Sequence, residues 1–136
     1  MMKTSSAKVV WEKKAQKELQ KMPDKVIETI ARETLNRTYP TIPMSSALDG
    51  NVNRGRLRRE TIAKGVQKNS NTYYLESPTY YSNYVYNMNN TTTNWSTPGT
   101  NSQWFKRTWD KQGKSIFSNA VERNKLWNLM KFLLNI

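Results

Sequence analysis

Residues 54–66, Arg54-Gly55-Arg56-Leu57-Arg58-Arg59-Glu60-Thr61-Ile62-Ala63-Lys64-Gly65-Val66, lead into Asn69-Ser70-Asn71 and then Thr72-Tyr73-Tyr74-Leu75-Glu76. This stretch separates an all-helical chain from a mixed one. Thr, Tyr and Leu in the last five residues suit a pleated, half-buried surface, and Asn-Ser-Asn before them is turn chemistry. Residues 54–66 read as the other arm of a β-hairpin, with Leu57, Thr61 and Ala63 on one face. Pro78 closes the unit, because proline has no N–H to give a ladder. In such a strand Arg54, Arg56 and Arg58 share one face and could grip phosphates bidentately. With Arg59 they are the candidate contacts for DNA or an acidic partner; the plainer reading is an edge strand guarded by its charge.

Towards the N-terminus, Val10, Trp11, Ala15, Leu19, Met22, Val26, Ile27, Ile30, Ala31 and Leu35 recur mostly at steps of three and four. That is an amphipathic stripe, predicting helix over residues 7–36. Pro23 interrupts it, so a kinked helix or a helix pair is expected, with Pro23-Asp24 as a fresh first turn. The Lys and Glu residues between the apolar positions fit a solvated face. Pro40 and Pro43 end the helical pattern, and residues 38–53 read as loop.

Towards the C-terminus, Tyr80 to Trp109 is aromatic at both ends and polar in the middle. A large ring left in water forgoes roughly 1.5 to 3 kcal/mol of burial, so something covers these rings. Tyr80 to Met88 fits a short helix packed by Tyr81, Tyr84 and Val85, or a strand. Residues 87–103 are too long for an ordinary connection and are disordered, an omega-type loop or a contact arm. The reading adopted is a protruding arm that meets a neighbouring subunit. Tyr81, Tyr84, Tyr86, Trp95, Pro98, Trp104 and Phe105 are its candidate inter-subunit contacts, because aromatics carry disproportionate interface energy. Asp110-Lys111-Gln112-Gly113 looks like a break, and residues 114–136 form a last amphipathic helix. Its end is apolar around so much of its circumference that it must sit in a core or dock on a neighbour. The expected fold is one α+β domain over residues 1–136.

The chain has 136 residues, no cysteine and no histidine. Disulfides and thiolate metal sites are therefore excluded, and the commonest metal ligand and general base are missing. The remaining acids are scattered, and the glycines form no phosphate-cradling motif. No cofactor and no catalytic residue is expected. Against 10 acids stand 22 Lys and Arg, a net charge of +12, which predicts attraction to polyanions or acidic surfaces. No apolar run approaches the roughly 20 residues of a spanning helix, so no membrane partner is expected.

Gly55-Arg56-Leu57-Arg58-Arg59 after a loop resembles the Asp-Thr-Gly-x-Leu-Arg signature of the small neck proteins of tailed bacteriophages, the minor capsid or tail-completion proteins. Tyr81-Ser82-Asn83-Tyr84-Val85-Tyr86 is similar to the Tyr-Ala-x-Tyr-x-Tyr segment of that family. Thr97-Pro98-Gly99-Thr100-Asn101, Trp104-Phe105 and Gly113-Lys114 follow in the family's order. Asn53-Arg54, Ser82 and Asn101 depart from the pattern. The resemblance implies a non-enzymatic virion protein, made in the host cytoplasm and placed at the capsid-tail junction. It would form a homo-oligomeric ring between portal or adaptor and tail proteins, with DNA passing through. A second, local resemblance joins Val9-Val10-Trp11-Glu12-Lys13-Lys14-Ala15, with Leu19, Met22 and Pro23, to ribosome-dependent mRNA-cleaving toxins of the RelE type. A basic nucleic-acid-binding module is the third reading.

Overall fold

The computed structural model describes residues 3–5, 7–44, 55–93, 95 and 97–134. Along the chain run β1 (Lys3–Ser5), β2 (Lys8–Glu12), α1 (Lys17–Gln20), α2 (Asp24–Thr38), a 3-10 turn (Tyr39–Thr41) and α3 (Arg56–Lys64). Then come β3 (Gln67–Asn69), β4 (Thr72–Glu76), α4 (Ser82–Tyr86) and α5 (Trp104–Leu134). The fold is α+β, an antiparallel sheet in the order β1-β2-β4-β3 with the long helices against it.

The hairpin forms, but with a shorter first arm than expected. Asn69 pairs with Thr72 and Gln67 with Tyr74, across a tight turn in which Ser70 takes a positive φ of 58°. The rest of the expected arm is helix α3. Two glycines frame it: Gly55 precedes its first residue at φ 73°, and Gly65 follows its last at φ 64°. Between them Leu57 and Thr61, four apart, both point inward, and Arg56 Nε donates to Glu60 Oε1 at 2.6 Å. Leu57 and Thr61 fit one helix face as well as one strand face, and the i,i+4 ion pair tips the balance to helix.

A second correction concerns the N-terminal stripe. The expected helix over residues 7–36 begins as strand: Val9 and Trp11 are fully buried and alternate with half-buried Lys8, Val10 and Glu12. Opposite them on β4 lie Leu75 and Tyr73, also buried, so the two strands present one apolar face. Pro23 does open a new helix, with Asp24 in its first turn. Lys13 and Lys68 both reach that carboxylate at 3.2 Å, tying α2 to the ends of β2 and β3.

The sheet face, α2 and the first half of α5 enclose one core. α2 runs beside α5: Arg37 bonds Gln112 and Ser115 at one end, and Lys25 Nζ lies 4.4 Å from the Trp127 ring centroid at the other. Trp11 meets Trp109 edge-on at 5.9 Å. The break expected at Gly113 is absent, and α5 is continuous over 31 residues. Gly113 serves packing: a Cβ there would stand 2.9 Å from Trp109 Cε2.

A chain of hydrogen bonds joins these layers at Ser77. Its backbone N–H donates to Ala7 O at 3.0 Å, and its carbonyl accepts from Ser82 Oγ at 2.8 Å. The hydroxyls of Thr61 and Ser77 are 2.8 Å apart, and Thr61 Oγ1 is 2.7 Å from Leu57 O. A carbonyl can only accept, so the Thr61 proton goes to Leu57 and Ser77 donates to Thr61. Ser77 Oγ then accepts from Trp104 Nε1 at 3.1 Å. Every polar group in this buried chain is satisfied.

Ser77→Ala would leave the buried Trp104 N–H without its acceptor, a loss of about 1–3 kcal/mol. A urea midpoint equal to wild type would refute this role for the hydroxyl. Gly113→Ala sets a helix-propensity gain of about 1 kcal/mol against overpacking of the Trp109 ring, which costs about 1–3 kcal/mol. A lowered melting temperature is expected, and a raised one would show that Trp109 moves aside freely.

Candidate functional site

The aromatic residues divide sharply. Tyr86, Trp104 and Phe105 belong to the chain's own core; the Tyr86 and Trp104 rings pack edge-on at 4.7 Å, and Phe105 lies 6.4 Å from each. They present no ring to a neighbouring subunit, which corrects their expected role as contacts. What covers them is α4 and the start of α5, folded together. Tyr81 is half-buried against Tyr80, whereas Tyr84 is 75% exposed, opposite to its expected packing role. α4 is the short helix anticipated as one of two options, but Ser82 and Tyr86 are its buried residues.

Residues 87–102 leave and return at one point, because Gln103 N–H donates to Tyr86 O at 3.0 Å. Of the three readings open for this segment, an omega-type loop fits the described residues. Asn90 Oδ1 anchors it from within, accepting from Trp95 Nε1 at 3.0 Å and from Ser102 N–H at 3.1 Å. Asn101 N–H donates to Thr41 O at 3.1 Å, and Thr100 and Ser102 are buried. Trp95 is half-buried and Pro98 exposed.

Helix geometry also disperses the arginines. Successive residues turn by about 100°, so Arg56 and Arg58 point apart instead of sharing a strand face. Arg56 is held by Glu60 and lies over the Tyr80 ring at 5.4 Å. Arg58 donates from Nε and Nη2 to Ile42 O and from Nη2 to Pro40 O, binding the loop before α3 to the body. Arg59 is exposed, and Arg54 lies outside the described residues. The hydrogen bond from Arg56, then that from Thr79, holds the Glu60 carboxyl below its ordinary range, and Arg56 is correspondingly raised. Lys13 and Lys68 likewise hold Asp24 down. Neither acid is a proton donor near neutral pH. Among the described residues no group of three His, Cys, Asp or Glu side chains could hold a metal ion, and no helix is long and apolar enough to cross a membrane.

The surface most unlike a solvated one is the far end of α5. Ala120 is its last buried side chain among those described, and the first turn of α2 reaches only as far as Trp127. Beyond and beside that point Leu126 is 59% exposed, Leu129 52%, Phe132 83% and Leu133 69%. Leu126, Leu129 and Leu133 stand three and four apart and so form one apolar stripe. Exposed patches of this kind mark interaction sites. The sequence flagged this end as needing a cover, and no other described element of the chain supplies one.

No protein-family model, curated protein or solved structure matches the chain. The candidate site therefore rests on its own geometry. Among the described residues, two apolar surfaces are open to a partner: the end of α5, and the exposed rings of Tyr80, which lies beside Arg56 of α3, and of Tyr84 on α4.

Burial pushes the Tyr86 phenol up to about 12 from an ordinary 10.0. The folded state thus keeps a proton that the unfolded chain loses, so stability is full below about pH 10 and falls as pH rises towards 12. Two pH units correspond to about 2.7 kcal/mol. Urea titrations of wild type and Tyr86→Phe at about pH 9 and pH 11.5 should show most of that loss in wild type and its absence in the variant. Equal alkaline losses in both would place the titrating group elsewhere.

Proposed function

We propose that this chain is a structural virion protein of a tailed bacteriophage, a ring-forming subunit of the head-to-tail connector through which DNA passes. The resemblance in the order of Gly55 to Arg59, Tyr81 to Tyr86, Thr97 to Asn101 with Trp104-Phe105, and Gly113-Lys114 supports the reading. The observation that carries it is the apolar end of α5, which a monomer leaves in water.

Burying side chains of this size returns roughly 1.5 to 3 kcal/mol each, so association has an evident driving force. Ring closure requires a heterologous contact, in which one patch meets a different patch on the next subunit. The α5 end supplies the first patch. Tyr80, 77% exposed, and Tyr84 supply the second, as rigid rings with a polar tip that suit an interface. In this arrangement the omega-type loop lies beside the receiving patch, since it springs directly from α4.

Light scattering over a concentration series should show wild-type mass rising to a plateau, the mark of a closed ring. Phe132→Ser with Leu133→Ser should remain monomeric and equally stable to urea, because both side chains are already exposed. Tyr84→Ser should weaken assembly by at least tenfold in concentration. A wild type that stays monomeric at every concentration would overturn the α5 end as the ring contact.

A further inference from the structure

The geometry points to a second surface of α5, the outward stripe of Arg107, Lys111 and Lys114, as a docking face for the phosphate backbone of a nucleic-acid duplex. The three residues stand four and three apart and are all exposed. They therefore fall within one narrow sector of the helix, facing away from buried Phe105, Ile116 and Ala120. Elsewhere on the described surface Asp24, Glu28, Glu33, Glu60, Glu76 and Glu122 each face a cation. On α5 itself Asp110, three residues after Arg107 and four before Lys114, is already bound to Lys106 at 2.8 Å, so the three cations of the stripe stand beside one acid that is engaged elsewhere. Lys111 and Lys114 have no ion pair or hydrogen bond from their ammonium groups among the described residues.

Three features make this more than a solvated face. Like charges at these spacings repel one another along the helix. Arg107 also closes the first turn of α5, at the positive end of the helix dipole, and that turn carries no acid. An anion relieves both strains. Moreover, Arg107 is not a free tether: its Nε donates to Ser102 O at 2.9 Å, fixing the guanidinium at the start of the helix. Seven residues at 1.5 Å each give a stripe about 10 Å long, against which one strand of a duplex offers about three phosphate steps. The α3 arginines, turned to different sides with Arg56 and Arg58 engaged by Glu60 and by loop carbonyls, form no comparable row.

This inference needs only the charge geometry, so it and the ring assignment fail separately. The test measures binding of a short fluorescent DNA duplex across a salt series. It compares wild type with Arg107→Gln/Lys111→Gln/Lys114→Gln and with Lys14→Gln/Lys17→Gln/Lys21→Gln, which removes the same charge from exposed residues at the other end of the chain. Three phosphate contacts contribute a slope of nearly −2.7 in log K against log salt, so a fourfold rise in salt should weaken wild type roughly fortyfold more than the stripe variant. The control variant should retain most of the wild-type slope. Equal losses in both variants would reduce the effect to net charge and overturn the proposal, as would a wild type that binds poly-glutamate but not the duplex. If the triple variant fails to fold, Lys111→Gln and Lys114→Gln singly should each flatten the slope by about 0.9.

Discussion

The hydrogen-bonded chain through Ser77 is the constraint on which the rest depends. It fixes the end of β4 to α3 through Thr61, to the start of α5 through Trp104 and to α4 through Ser82, while the Ser77 N–H holds the start of β2 at Ala7. Apolar packing alone would let these elements slide, since it has no direction. A buried chain of donors and acceptors has one good arrangement and leaves costly orphans in any other. Glu60 extends the same joint to the surface, accepting from Thr79 at 2.8 Å while it binds Arg56.

Much of the fold could be read from residues whose local chemistry admits one structure. Pro23-Asp24 opens α2, the Ser70-Asn71 turn joins the hairpin, and the apolar spacing beyond residue 114 is helix in the structure as in the sequence. The failures arise where two periods fit the same residues. Val9 and Trp11 belong to a helical stripe if Ala15 and Leu19 are read with them, and to a strand if they are read alone. Pairing with Leu75 and Tyr73, more than sixty positions away, decides for the strand. Leu57 and Thr61 satisfy both periods in the same way. Gly113 suggested a break because its packing role against Trp109 is set by a side chain on the preceding turn.

The candidate surfaces were only partly legible for a related reason. A ring rich in Tyr and Trp looks the same in sequence whether its own chain or a neighbour covers it. Tyr86, Trp104 and Phe105 turned out to cover one another, while Tyr84 on the same short helix points out. The excess positive charge was plain from composition, but its distribution was not: the Arg56 to Arg59 run is spread around a helix, while Arg107, Lys111 and Lys114 line up only because α5 is continuous through Gly113.

The pinched neck of the omega-type loop has a consequence for engineering. Its two ends meet at a single backbone bond between Tyr86 and Gln103, and its exposed tip includes Asn89, Thr91, Thr92, Pro98 and Gly99. Lengthening a loop closed at its base adds only about 0.6 kcal/mol of chain entropy per doubling. A foreign peptide grafted at the tip would extend into solvent from the folded chain, leaving the Ser77 joint and the core beneath it undisturbed.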